Sequence, residues 1–219
     1  MFITVEAHQR EQYADLLRSM YRLRKRVFVD DMGWDVPVDG DFERDGYDEF
    51  GAAYLIWFNP RTRAVYGSMR LMPTTGPTLL YDVFAETFPA ASGLSAPGIW
   101  EATRTCVDAS LIARDFPGMT VNRALGLLCL ATGECALAHG IHTVVCNYEP
   151  HMKRVYAGFG ARLDELGRAD GYGRRPVCCG TFSISADFVT GMRAALGQYD
   201  PLYQHRYAPP ATHLHNIAA

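Results

Sequence analysis

The chain has 219 residues, 48% apolar and 21% charged, with a formal net charge of −3. That is a globular composition with enough length to bury a sizeable core, and it excludes a disordered or strongly basic nucleic-acid-binding chain. No apolar run approaches about 20 residues, the length that spans a bilayer, and MFITVEAHQREQ lacks the basic start and apolar core of a secretory signal, so a cytoplasmic protein without membrane insertion is expected.

In chain order, FITVEA alternates and reads as a short first strand. QYADLLRSMYRLRKRVFV follows as a helix, with Tyr13, Leu16, Leu17, Met20, Leu23, Val27 and Phe28 at helical spacing. The stretch MGWDVPVDGDFERDGYDEF comes next. From Asp30 to Glu49 it gathers nine carboxylates against one base, Arg44. Either it is a solvated connection or its carboxylates are assembled to receive a cation.

AAYLIWF and AVYGSMRLMP read as paired strands around the turn NPRTR. TLLYDVFAETF predicts one or two short helical turns in a surface excursion, and ASGLSAPG a loop. IWEATRTCVD alternates as a strand with two charges, Glu101 and Arg104, inside it. Charges in a buried strand are costly unless paired, so they invite a functional explanation. Three-residue spacing places them on opposite faces of a regular strand, so neither is expected to pair with the other.

MTVNRALGLLCLATGECALAHG is the clearest helix, capped by Thr120 and stopped at Gly140, with apolar residues nearly all round it. Its RxxGxL, Arg123 to Leu128, resembles part of an acetyltransferase phosphate-binding pattern; a packed helix start is the other reading. IHTVVCN is a strand, PHMKRVYAGFG a short helix, PVCCGTFSI a late strand and ADFVTGMRAALGQY a late helix. This order predicts an α/β (α+β) fold with a mixed central sheet flanked by helices. Residues 1–200 are expected to form one domain, with 201–219 an extended or mobile tail.

The cysteines Cys106, Cys129, Cys135, Cys146, Cys178 and Cys179 form no Cys-x-x-Cys pair and no zinc spacing, so no metal site is expected. They read as buried small hydrophobes, a catalytic thiol being the alternative. From His151 to Arg175, Lys153, Arg154, Arg162, Arg168, Arg174 and Arg175 outnumber Asp164, Glu165 and Asp170, which suits an anionic partner or a solvated face.

Three constellations remain. Arg24, Phe28, Trp34, Asp45 and Asp48 bridge the first helix and the acidic loop. Arg70 ends GSMR, with Phe84 after it. Glu101 and Arg104 lie in WEATR. These nine positions in order resemble the acyl-homoserine-lactone (autoinducer) synthase family, over Tyr21 to about Gly160. One departure is Thr105, where an aromatic often follows the arginine.

The resemblance implies a fold like that of the acetyltransferases using acyl-coenzyme A, with a strand splay that holds the phosphopantetheine arm. It implies acyl transfer from an acyl carrier protein or acyl-coenzyme A to the amine of S-adenosylmethionine. Lactone closure then expels methylthioadenosine. S-adenosylmethionine would be a substrate, with no tightly bound cofactor. Glu101 would be the base that takes the amine proton, with Arg104 beside it as a substrate organiser; a paired strand charge is the alternative for both.

Arg24 and Arg70 would hold Asp45 and Asp48 while substrate binds beside them. Phe28 and Trp34 would be either core aromatics or a face for adenine or the sulfonium. Phe84 would line the cleft. Leu125, Leu128, Val144 and Cys146 would wall the acyl chain, with Thr143 or Asn147 adding a polar contact unless they serve ordinary strand packing. Lys153 and Arg154 would dock an acidic carrier, or simply form a solvated helix face. The rival readings are a generic acyl-coenzyme A N-acyltransferase and a non-enzymatic relative that binds an acyl carrier or nucleotide.

Overall fold

Seven strands lie side by side in the computed structural model, which describes residues 1–203. Their order across the sheet is β1 (Phe2–Val5), β4 (Ala53–Phe58), β5 (Val65–Pro73), β6 (Ile99–Val107), β7 (Thr143–Tyr148), β9 (Val177–Ser183) and β8 (Asp164–Ala169). A separate hairpin pairs β2 (Val38–Asp39) with β3 (Phe42–Glu43). The helices are α1 (Ala14–Arg24), α2 (Leu79–Asp82), α3 (Ala109–Asp115), α4 (Val121–Ala138), α5 (Met152–Gly158) and α6 (Ala186–Leu196). Neighbouring strands are antiparallel except β6 and β7. A parallel pair needs a crossover, and α3 with α4 supplies it. The mixed sheet flanked by helices is thus the one the sequence predicts.

Alternation along β4 sends Tyr54, Ile56 and Phe58 to one face and Leu55 and Trp57 to the other. On the first face lies α1, whose Leu16, Leu17 and Met20 pack against Tyr54, Ile56, Met72 and Cys106. On the second lie α4 and α6, with Ala124, Leu128 and Met192 against Leu55, Met69, Ala102 and Val144. By length and composition α4 passes for a membrane span, but it packs here as the core helix. At Gly126 α4 lies tight against its neighbours: a Cβ there would sit 2.8 Å from Leu196 Cδ2 and 3.0 Å from the Phe159 ring. Close packing accounts for that glycine.

Several elements differ from expectation. The first helix leaves α geometry at Arg24 and runs on as a π-helix over Lys25–Asp31, closing with Met32 N–H on Val27 O at 3.0 Å and Trp34 N–H on Phe28 O at 2.8 Å. The IWEATRTCVD strand ends at Val107, because Asp108 turns to cap α3 through its Oδ1 and the Leu111 N–H, 3.0 Å apart. Strand β8 was invisible to hydrophobic patterning, since DELGRA is a polar edge strand. The last described residues, Leu202 and Tyr203, donate their N–H groups to Glu134 Oε2 at 2.8 and 2.9 Å, which ties these two residues to α4. The rest of the expected tail lies outside the described residues.

Two irregularities in β6 set the surroundings of its charged residues. Its pairing with β7 covers only Ile99↔Thr143, Trp100↔Val144 and Glu101↔Val145. Past Glu101 the two strands run on without each other and splay apart. On the other edge, Ser68 pairs with Cys106 and Arg70 with Thr103, so two steps of β5 face three of β6. That bulge is centred on Arg104, whose φ of 52° is left-handed and uncommon for any residue but glycine.

Candidate active site

The bulge changes where the strand charges point. In a regular strand Glu101 and Arg104 would face opposite ways. The extra residue instead turns Arg104 onto the α1 face, which Glu101, Thr103 and Cys106 also occupy, and leaves Thr105 with Ala102 on the α4 face. The expectation of opposite faces is therefore corrected, by a backbone feature that the spacing rule ignores.

Arg104 there joins a closed ring of ion pairs. Its Nε donates to Glu43 Oε1 at 3.0 Å and its Nη2 to Asp45 Oδ2 at 2.8 Å. Arg70 carries the ring from Asp45 (2.5 and 3.1 Å) to Asp48 Oδ1 (3.0 Å), its Nε donating to Thr103 Oγ1 at 2.9 Å. Arg24 takes both oxygens of Asp48, at 2.9 and 3.0 Å, and returns to Glu43 Oε2 at 2.6 Å. Arginine and carboxylate alternate all the way round, so each buried charge lies between two of opposite sign. Desolvating six charges is tolerable only with such complete pairing. The side chains of Arg24, Glu43, Asp48 and Arg70 are at most 1% exposed; Asp45 at 7% and Arg104 at 11% form the open edge.

Local structure explains why these residues are available. Asp45 caps a short 3-10 helix over Gly46–Glu49. Its Oδ1 accepts from the Tyr47 N–H at 3.0 Å, and Asp48 Oδ2 accepts from the Asp45 N–H at 2.9 Å. Asp-x-x-Asp is thus a reciprocal capping box, and it fixes both carboxylates. Glu43 was missed by the sequence reading. The signal was present: Gly40-Asp41 between VD and FE is a two-residue hairpin turn, with Gly40 at φ 57°, and it carries Glu43 inward on β3.

Glu101 has the opposite setting. It is 0% exposed, and neither carboxylate oxygen has a hydrogen-bond partner among the described residues. Burial raises its pKa to about 7; the Arg70 charge, the nearby Leu80 and Leu79 amides and the Arg104 charge temper that rise without closing a well-formed bond. It stands at the last β6–β7 pair, where the splay begins. Tyr47 sits nearby, its ring 5.7 Å from the Arg70 guanidinium carbon and its hydroxyl donating to Asp82 Oδ2 at 3.0 Å.

Through the splay, on the α4 face, lies a mostly apolar cavity of about 40 Å³. Val144 and Cys146 line it; Leu125, Leu128 and Thr143 do not. Leu128 is packed at 0% exposure in the core beyond, and Thr143 is occupied with His142 Nδ1 at 3.0 Å. Phe28 is a core aromatic at 2% exposure, while Trp34, 41% exposed, stacks on it with centroids 5.1 Å apart and planes at 11°. The Arg104 guanidinium carbon lies 5.9 Å from the Phe28 centroid. Phe84 packs at 5.0 Å against Tyr172 in the excursion.

On α5, Lys153 is exposed and pairs with Glu165 at 3.1 Å; Arg154 is exposed beside it. Burial pushes all six thiols up, Cys106 to about 11 and Cys129, Cys135 and Cys179 to about 12, which leaves no nucleophilic thiolate at neutral pH. Among the described residues no cluster of His, Cys, Asp and Glu could hold a metal ion.

Known proteins match this architecture. The family model described as autoinducer synthase matches residues 8–189. An acyl-homoserine-lactone synthase from Rhizobium etli is 35% identical over 187 residues, covering 82% of each chain. A solved coenzyme A-dependent acyl-homoserine lactone synthase, BjaI, with SAM and isopentyl-CoA, superposes with a TM-score of 0.80 at 25% identity, over 95% of each chain. A protein from Lactobacillus plantarum described as a putative N-acetyltransferase shares the fold, with a TM-score of 0.52 at 20% identity over 84% of this chain and 99% of its own.

Proposed function

This chain belongs to the autoinducer synthase family of acyl-homoserine-lactone synthases, and on that premise we propose which residues carry the acyl transfer. The acyl donor, a thioester on coenzyme A or an acyl carrier protein, threads the opening between β6 and β7. Its acyl chain reaches the cavity on the α4 face, and its carbonyl meets the amine of S-adenosylmethionine on the α1 face. The observation that carries this reading is Glu101: a buried carboxylate with no bond to lose, with its pKa at about 7, standing at the mouth of the splay.

An amine must be neutral to attack a thioester, and a free α-amino group has a pKa of about 8. Glu101 takes the proton as attack proceeds, and a base poised near neutral pH does so efficiently. Lactone closure needs no base, because the substrate carboxylate is already ionised and a sulfonium leaves well. It needs a folded-back substrate held away from water. The ring supplies that hold at its open edge, Arg104 toward the substrate carboxylate and Asp45 toward the cationic groups. Arg24, Arg70 and Asp48 lie behind and fix those two. Trp34 offers its exposed face to the adenine or sulfonium, resting on Phe28, and Phe84 borders the arm of the donor. Lys153 and Arg154, exposed on α5, are the proposed contact for an acidic carrier.

The test is purified protein with S-adenosylmethionine and a panel of acyl donors, followed for methylthioadenosine and lactone. Both products are expected. Acylation without methylthioadenosine would point to a generic N-acyltransferase, and no turnover across the panel to a binding protein.

A further inference from the structure

Among the described residues, four side chains carry a buried nitrogen or oxygen with no hydrogen-bond partner: Arg10, Thr78, Glu101 and Asn147. The last three belong to one place. Glu101 ends the β6–β7 pairing, opposite Val145. Thr78 opens α2, whose Leu79 and Leu80 amides lie near Glu101. Asn147 is the next residue on Val145's side of β7. Val144, Cys146 and Tyr148 face α4, whereas Val145 packs with Leu80 and Cys179 under the excursion between β5 and β6, where Asn147 meets Thr87. The excursion therefore covers an unpartnered acceptor on each lip of the splay.

The partners of the Asn147 amide fix which way it points. Its nitrogen stands 2.9 Å from Thr87 Oγ1 and 3.5 Å from Cys178 O. Thr87 directs its own proton to Phe84 O at 2.6 Å, and the Cys178 group is a carbonyl, so both can only accept. The nitrogen must face them, which turns Oδ1 away from Thr87, buried and without a partner. Leaving a buried acceptor unpaired costs about 1–3 kcal/mol. In register Asn147 lies two residues past the partner of Glu101, which puts their Cα atoms about 8 Å apart before the splay widens. Two acceptors that share one tetrahedral nitrogen stand about 5 Å apart, a spacing that a glutamate and an asparagine reach from such backbones.

We propose that Asn147 is the second hold on the attacking amine: its Oδ1 accepts one N–H of S-adenosylmethionine while Glu101 faces the other, which leaves the nitrogen lone pair aimed at the thioester carbonyl. The inference rests on the synthase reading above. A neutral amine has those three directions besides its own carbon, so two acceptors orient it completely. As the N–C bond forms and the C–S bond breaks, one amine proton passes to Glu101 and on to the departing thiolate. Asn147 keeps its bond to the other N–H throughout. An amide suits that role, because it takes no proton and does not compete with Glu101 for one.

The test measures, by calorimetry at pH 8.5, binding of S-adenosylmethionine and of its deaminated analogue, which lacks the amine. The proteins are the wild type and Asn147→Leu, with Asn147→Ala as the smaller change should leucine prevent folding. Losing one buried hydrogen bond should weaken S-adenosylmethionine by about ten-fold and leave the analogue unchanged. Turnover should fall by about ten-fold or more, with KM for the acyl donor unmoved. An equal loss for both ligands would make Asn147 a structural residue and overturn the inference. So would undiminished binding and turnover in the variants. A raised KM for the acyl donor with S-adenosylmethionine affinity intact would move Asn147 to the donor's pantetheine arm, which overturns it too. A wild type that neither binds S-adenosylmethionine nor releases methylthioadenosine would sink the synthase reading itself, and this inference with it.

Discussion

Asp48 and Glu101 are both 0% exposed carboxylates on the α1 face of one sheet, yet their protons are held in opposite ways. Burial would raise both. At Asp48 the Arg24 guanidinium, then Arg70 and the Asp45 N–H overcome burial and hold the pKa well below the usual carboxylate range. Five donors close on it, counting Arg24 Nη1 and Nη2, Arg70 Nη1, the Tyr54 hydroxyl and that N–H. At Glu101 no donor closes, so burial wins and the pKa rises to about 7. Depth is the same and the number of closed bonds differs. Asp48 is therefore a fixture, locked in its charged form, while Glu101 can exchange a proton at neutral pH.

That contrast is broken most directly by Glu101→Gln, which keeps shape and removes the base. Turnover is expected to fall by about 10²–10⁴-fold, with KM for S-adenosylmethionine moving by no more than about three-fold. The wild-type kcat/KM should climb as pH rises through about 7, and the variant's residual rate should lack the limb that belongs to Glu101. Steady-state kinetics across pH 5.5–9 reads both. Equal movement of kcat and KM would make Glu101 a structural residue.

Next in size is Arg24→Ala, which leaves Glu43 and Asp48 buried and each short of a cation. Orphaning a buried charge costs about 3–5 kcal/mol, so Tm should drop by about 10 °C at the usual few degrees per kcal/mol. Thermal melts at pH 7 measure it. A Tm within about 2 °C of wild type would mean the ring contributes no more than a set of surface pairs.

The two acids also show what was legible in advance. Long, nearly continuous apolar runs exposed β4, β5 and α4, because their neighbours are apolar on both sides. The charged residues of the ring were picked out individually, all but Glu43, yet their closure was not foreseeable. It depends on an inserted residue in β6, and Glu101 and Arg104 share a face only because φ at Arg104 is 52°. No local propensity asks for that conformation in Thr-Arg-Thr; the ion pairs to Glu43 and Asp45 hold it. Similarly β8 escaped notice because an edge strand has little apolar surface to announce it. Features that depend on a residue's own neighbours in sequence could be read. Those that depend on partners distant in sequence could not.

The smallest effect sharpens the contrast further, because it separates the two acids by pH. Glu101 has a folded pKa of about 7 against an ordinary 4.5. Between those values the folded state holds a proton that the unfolded state has released, so wild-type stability falls as pH rises across the window. The penalty is complete above about 7 and amounts to about 3 kcal/mol for a shift of that size. Glutamine carries no such term. The stability of Glu101→Gln relative to wild type should therefore rise between pH 4.5 and 7 and stay level above, whatever the fixed cost of burying the amide. Asp48 cannot mimic this: its pKa is depressed, so its contribution is present above the ordinary carboxylate range and is lost only as pH falls below it. Denaturant melts of both proteins at pH 4.5, 6, 7 and 8 give the difference directly. A gap that does not change with pH would show that Glu101 ionises as an ordinary exposed carboxylate does, and the distinction drawn between the two buried acids would be lost.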